Sequence, residues 1–459
     1  MIGHLIPVWI LLPMVGVLGL FAGRLVNICV LRFPEDSGVG AGGDEGHSRF
    51  HRWRLEFLGS LQSSRRQLGM LLLPWSVCRK CSAPPSTLEK IPVVGWFASG
   101  RRCSKCNAKV SPAFTVIELI TAAIFVALYW CEIPTGSTAR LIDSSLAGQE
   151  GVRGPEMLTG MWSASVWLHL RYLLHMIMIC GLIAATEIDR RLRIIPDGTT
   201  IPIMLFAVVA SFACAQLFIV PIWFQDSSTV KILQPMMPEF LQPLFVPWDP
   251  GTFIQSWPHL HGLLVSLAGA VAGAGSVYVV RQIGFFVLKE EAMGDGDVVL
   301  MGMIGSVIGW QPVLAVFMFA PMLAIVFAIV SWIVTRDNMI PYGPFLSGAA
   351  VILLLSWPAT WPLAKRFFDM GPVLLLLGVL MVLLMTVSLQ FVQVIKRIFG
   401  IGPREEPGYG DGGWSSADHL SYYNGERPDE QTCDWSKDQW PGSRAGRGLK
   451  PYNDWLNGN

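Results

Sequence analysis

Long apolar blocks separated by short polar joints punctuated with Gly and Pro dominate the chain. A helix needs ~20 apolar residues to cross a hydrocarbon core of ~30 Å. Blocks that reach or approach this length cover residues 6–31, 114–131, 173–188, 201–224 and 263–288. They continue over 298–308, 313–334, 345–357 and 372–395, the first and third of these four being short. Length alone therefore predicts about eight or nine transmembrane helices in an all-α polytopic membrane protein. The first block has no basic residue ahead of it and carries Arg24 and Arg32 towards its far end. That is the wrong polarity for a signal peptide, so it reads as a retained helix.

The polar stretches divide the chain further. Residues 1–33 hold the first helix, and 34–112 form a cytoplasmic cysteine-bearing domain with an insert at 35–69. Residues 113–358 form a membrane core and 359–399 an additional helix. Residues 400–459, rich in Gly, Trp, Asp and Ser without apolar periodicity, read as a disordered cytoplasmic tail. Loops at 132–163 and 225–259 fall outside. Lysines and arginines set this orientation. With the N-terminus outside, Arg32, Arg79/Lys80, Arg101/Arg102, Arg190/Arg191/Arg193, Arg281, Arg336 and Lys396/Arg397 all fall on the cytoplasmic side; Lys365/Arg366 is the exception.

Composition strengthens the membrane reading. The chain is 52% hydrophobic and 15% charged, against ~25% charged in an average soluble domain. A net charge of +1 offers no strong field for a nucleic-acid partner. The expected partner surface is the lipid bilayer, and the 18 tryptophans fit interfacial belts.

Four of the nine cysteines form two pairs, Cys78-Arg-Lys-Cys81 and Cys103-Ser-Lys-Cys106. Four thiolates make the closed tetrahedral site of structural zinc; a redox pair and a metal-free segment are the other readings. Such a small, Pro-rich segment needs a staple, and a metal would supply its folding energy. Four cysteines leave no open position for catalysis.

Carboxylates at membrane boundaries carry the candidate chemistry, because intramembrane charge is costly. Asp189 closes the third block in Thr186-Glu187-Ile188-Asp189-Arg190-Arg191, and Pro196-Asp197 follows. Asp295 and Asp297 precede the sixth block in Met293-Gly294-Asp295-Gly296-Asp297. Two aspartates at one depth can share a water, one acting as general base and the other as general acid, since like charges so close do not both ionise. Gly294 and Gly296 would let a substrate backbone approach. The alternatives are a helix cap or an ion pair with Arg190 and Arg191 for Asp189, and a helix-entry turn for the Gly-rich run. His169 and His175, near the start of the third block, read as packing residues.

These motifs, in order over residues 19–346, resemble the bacterial type IV prepilin peptidases, membrane aspartyl proteases of the Gly-x-Gly-Asp class. Gly19-Leu20-Phe21-Ala22-Gly23, Asn27 and Arg32-Phe33-Pro34 are similar to the opening helix of that family. The paired cysteines, Ile91-Pro92-Val93, Trp96 and Gly100-Arg101-Arg102 are similar to its cytoplasmic domain, and Ser111 and Glu118 to the start of its second helix. Ile340-Pro341-Tyr342-Gly343-Pro344-Phe345 is similar to a late helix entry.

The resemblance implies that Asp189 and Asp297 are catalytic, with Gly294, Asp295, Gly296, Pro196, Asp197 and Glu118 in support. It implies cleavage of the short basic leader of prepilins or pseudopilins at the cytoplasmic face of the bacterial inner membrane. It also implies N-methylation of the new terminus with S-adenosylmethionine, an activity associated with the cysteine-bearing domain. The chain departs from the family at Val299, where a lysine is usual, at Arg24, where a small residue is usual, and in inserts at 35–69, 132–163 and 225–259. The other classes are a catalytically impaired, zinc-stapled scaffold of a pilus or secretion apparatus, and a transporter. Transporters place such charges near the bilayer midplane, commonly between inverted repeats; here they lie at the boundary and no repeat is visible.

Overall fold

The structure is a computed structural model that describes residues 8–32, 90–103, 105–133, 164–225, 227–240, 242–248, 250–288, 293–334 and 341–398. Among these residues all regular structure is helical, with two isolated bridges, Arg102 to Lys109 and Gln225 to Trp248. The helices are α1 (Val8–Arg32), α2 (Val94–Ala98), α3 (Ala113–Glu132), α4 (Ala164–Leu192), α5 (Asp197–Cys214) and α6 (Ser227–Leu233). They continue with α7 (Pro250–Ser256), α8 (Pro258–Leu288), α9 (Asp295–Ile308), α10 (Trp310–Val334), α11 (Gly343–Phe368) and α12 (Val373–Ile398). Among the described residues eight helices are long and apolar enough to cross a membrane: α1, α3, α4, α5, α8, α10, α11 and α12.

Three expected blocks, the fourth, sixth and eighth, differ from what is observed. The sixth becomes α9, with 14 residues and a length of ~21 Å at 1.5 Å per residue, too short to span. The eighth becomes the 26-residue α11, which runs on through Pro358 and Pro362 to Lys365 and Arg366 in its last turn. Those cations suit the C-terminal end of a helix dipole.

Contacts group the chain into two units. The first comprises Trp9–Ala127 and Ile179–Ile203. Here α1 crosses α3 closely because Gly19 and Gly23 carry no side chain: a Cβ at either would lie 2.6 Å from the Cα of Ala122 or Glu118. Asn27 Nδ2 donates to the Phe114 carbonyl at 2.9 Å. Val26, Val30, Ile117, Ala184, Ile188 and Leu192 form the apolar core of the unit.

The second unit comprises Leu128–Met178 and Met204–Gly410. Its centre is α9, in which every residue from Leu300 to Ile308 is buried, with α8, α10 and α11 packed against it. The α8–α9 crossing is at backbone contact: a Cβ on Gly269 would overlap the Gly305 carbonyl, and one on Gly305 would overlap that of Gly269. Beside it, the Ser266 hydroxyl donates to the Ser306 carbonyl at 2.7 Å.

The fourth apolar block, expected as one span over 201–224, ends its helix at Cys214, and Ala215 takes φ +62°. Most of residues 215–224 are apolar and buried inside the unit, with Leu217, Ile219 and Val220 almost fully enclosed. A non-helical backbone there must be satisfied by protein. His261 Nε2 accepts from the Ile222 amide at 3.2 Å, Gln311 Nε2 donates to the Pro221 carbonyl at 2.8 Å, and Trp310 Nε1 donates to the Ile222 carbonyl at 2.5 Å.

Two α8 glycines test this packing. Gly275, where a Cβ would meet nothing within 4 Å, should accept Ala with no loss or a gain of ~0.5–1 kcal/mol. Gly269→Ala should instead prevent folding, seen as aggregation on size-exclusion chromatography in detergent. A monodisperse Gly269→Ala protein would refute the close crossing.

Candidate active site

Four carboxylates are buried among the described residues: Glu118, Glu132, Asp189 and Asp297. Each has been placed differently by its helix.

Asp189, 6% exposed, sits in the last turn of α4, where its carbonyl accepts the amide of Arg193 at 2.8 Å. Arg193 has φ +58° and turns the chain out of the helix. Both Arg190 and Arg191 reach Glu187 one turn back, Arg190 at 2.9 Å. Pro196 is buried and Asp197 half-buried at the start of α5, where a negative charge suits the helix dipole. Thr199 Oγ1 donates to the Pro196 carbonyl at 2.7 Å, closing the turn.

Asp297, 9% exposed, lies in the first turn of α9. Gly294 is its exposed N-cap and Gly296 is half-buried. Two residues earlier, Asp295 is exposed and takes a two-pronged ion pair from Arg281 of α8. The two neighbouring aspartates thus have opposite environments. Arg281 thus brings a cation to the first turn of α9, in which Val299 is half-buried. Sequence reasoning gave Tyr342 no role of its own. Burial first, and then the Asp297 carboxylate, push its phenol up to about 12, so it remains a protonated donor on the approach to α11.

Glu118 is held on both oxygens. Arg24 Nη1 donates to Oε1 at 3.0 Å, and the Val93 amide donates to Oε2 at 2.7 Å. Val93 has φ +59°, a strained geometry for a β-branched residue. The unusual Arg24 therefore has a structural partner, and Glu118 ties α1 and α3 to the segment leading to the cysteines. In that segment Arg101 lies over the Trp96 ring at 4.9 Å, and Trp96 Nε1 donates to the Val110 carbonyl at 3.1 Å.

Cys103 and Cys106 are half-buried and not in a disulfide. They flank a tight turn in which the Asn107 amide donates to the Cys103 carbonyl at 3.0 Å and the Cys103 amide to the Ala108 carbonyl at 2.8 Å. A turn carrying two such thiols suits one half of a tetrahedral zinc site. Cys78 and Cys81 lie outside the described residues, and among the described residues no cluster of three or more candidate ligands is assembled.

Glu132, expected to open an external loop, instead ends α3 in full burial. Its Oε1 lies 2.5 Å from Nδ1 of the buried His175. His175 thus packs as expected, but as half of a polar pair. His169 lies 3.4 Å from the Tyr129 hydroxyl.

Comparison with known proteins finds family matches for two stretches of the chain. The bacterial peptidase A24 N-terminal domain matches residues 17–131, and the type IV leader peptidase family matches residues 250–329. The first stretch contains Glu118 and the cysteines, and the second contains Asp297. A type 4 prepilin-like proteins leader peptide-processing enzyme of Escherichia coli O78:H11 (strain H10407 / ETEC) is 24% identical over 73% of this chain and 91% of its own length. The prepilin leader peptidase/N-methyltransferase of Neisseria gonorrhoeae is 23% identical over 76% of this chain and 92% of its own. That of Pseudomonas aeruginosa is 23% identical over 74% and 88%. No solved structure matches. With eight long apolar helices among the described residues and these relatives, the chain is a multi-pass membrane protein.

The Arg24–Glu118 pair yields a stability prediction. Arg24→Ala leaves Glu118 buried without its counter-charge and should cost ~3–5 kcal/mol, read as a lowered melting temperature in detergent. Adding Glu118→Gln should recover part of that loss; a double variant no better than Arg24→Ala would show that the pair is not the source.

Proposed function

Because the chain belongs to the type IV leader peptidase family, we propose that it is an aspartic endopeptidase that removes the short basic leader of type IV prepilins or pseudopilins. Asp189 and Asp297 form its catalytic pair. The supporting observation is that both are buried at helix ends of opposite polarity. A helix N-terminus favours negative charge and a C-terminus disfavours it. Asp297, at the start of α9, is therefore the ionised base that takes a proton from the attacking water. Asp189, at the end of α4, is the protonated acid that donates to the scissile carbonyl oxygen. Tyr342, Arg281 and Asp295 shape the charge around Asp297, and Asp197, Pro196, Gly294 and Gly296 hold the two turns.

The basic residues beside both turns, Arg190, Arg191, Arg193 and Arg281, support an active site on the cytoplasmic side of the inner membrane. Cleavage there frees a new N-terminal amine. N-methylation of that amine follows from the names of the relatives, with S-adenosylmethionine supplying the methyl group; no residue of this chain is assigned to it. Cys78, Cys81, Cys103 and Cys106 would hold one structural zinc that staples the cytoplasmic segment and takes no part in hydrolysis. Val299 favours a second reading, an impaired scaffold of a pilus or secretion apparatus.

The purified protein should cleave a prepilin-like peptide, and Asp189→Asn and Asp297→Asn should each abolish cleavage. Unimpaired turnover by either variant sinks the pair, and an inactive wild type favours the scaffold. Bound zinc of about one per chain should fall on Cys78→Ser and Cys103→Ser; unchanged zinc content would remove these cysteines as ligands.

A further inference from the structure

The segment between α5 and α8 has no place in this chemistry, and it is one of the inserts that set the chain apart from the family pattern. It sits at the far end of α9 from Asp297: Trp310, two residues beyond Ile308, bonds the Ile222 carbonyl that leads into it. One α9 length, ~20 Å, separates the two ends.

One side of this segment is anchored. Val230 and Phe245 are 2% and 1% exposed, and Ile254 joins Phe218 and Val265 in an apolar cluster. The Gln225 amide also donates to the Trp248 carbonyl at 3.3 Å. The other side is apolar and open. Ile232, Met236, Phe240, Val246 and Trp257 are 66%, 72%, 77%, 58% and 62% exposed. Large apolar side chains anchored to a folded body and presented outward mark an interaction surface.

Its neighbours indicate the occupant. Phe212 near the end of α5 and Leu260 in the first turn of α8 are exposed residues of two membrane-crossing helices. The roots of the segment are joined there: His259 Nδ1 donates to the Phe212 carbonyl at 2.8 Å, with the rings 5.9 Å apart. The exposed apolar flank of α5 and α8 thus continues onto the segment through Trp257. Residues 227–257 carry only Lys231, Glu239 and Asp249 as charges, too few for an aqueous loop of that length and without the basic face that selects anionic lipids. Exposed Trp and Phe at a span terminus suit the headgroup–acyl boundary.

We propose that residues 227–257 form a foot in the membrane interface, with Ile232, Met236, Phe240, Val246 and Trp257 immersed in phospholipid in the leaflet opposite Asp297. The foot is not an aqueous loop. Its ligand is the acyl–glycerol region of ordinary phospholipids, without headgroup selectivity.

Photoreactive benzoylphenylalanine placed singly at 232, 236 and 240 in the full chain, in bacterial membranes, tests this. Irradiation should give adducts heavier by one phospholipid at all three positions and several-fold fewer at the Lys231 position. Adducts to a second copy or to another protein, or no lipid adduct, would overturn the proposal. A milder substitution covers any folding failure. In vesicles of phosphatidylcholine brominated near the headgroup, the unaltered protein should lose more fluorescence than Trp257→Phe. Equal quenching of the two would place Trp257 out of lipid and overturn the foot.

Discussion

Backbone amides and carbonyls away from water must find partners within the protein, and much of this architecture follows from that constraint. Helices satisfy it internally, so the described chain is helical throughout its long elements. Where the chain leaves the helix at Ala215, the constraint falls on side chains of other elements. His261, Trp310 and Gln311 are polar residues inside or beside apolar helices, and each serves a carbonyl or amide of 221–222. Their presence permits α9 to be short, because the end it leaves open is closed by an ordered, bonded segment.

The same economy shapes the candidate site. Both aspartates sit where a helix begins or ends, where backbone groups are already unpaired and charge has the greatest influence. Sequence neighbours are sorted by position: Asp295 takes the cation and the solvent, while Asp297 turns inward. Glu187 receives the two arginines that follow Asp189.

Much of this was legible beforehand, for identifiable reasons. Apolar length located the long helices, since a run such as 313–334 has one sensible use. It misjudged 201–224 because burial in protein and burial in lipid demand the same residue types. It misjudged 345–357 because Pro358, Pro362 and the terminal cations break the hydropathy without breaking the helix. The carboxylates near 189 and 297 stood out as charges at the edges of apolar blocks. Glu132 did not, because its partner His175 lies 43 positions away and no local pattern encodes such a pair. Tyr342 was visible only as part of a motif; its relation to Asp297 depends on how α9 and the entry to α11 are packed.

The crossing of Gly269 and Gly305 carries a mechanical consequence. With backbone against backbone, neither helix can slide by a residue without driving a side chain into the other. The α8–α9 pair therefore behaves as a rigid axle that holds Asp297 in one register against α8.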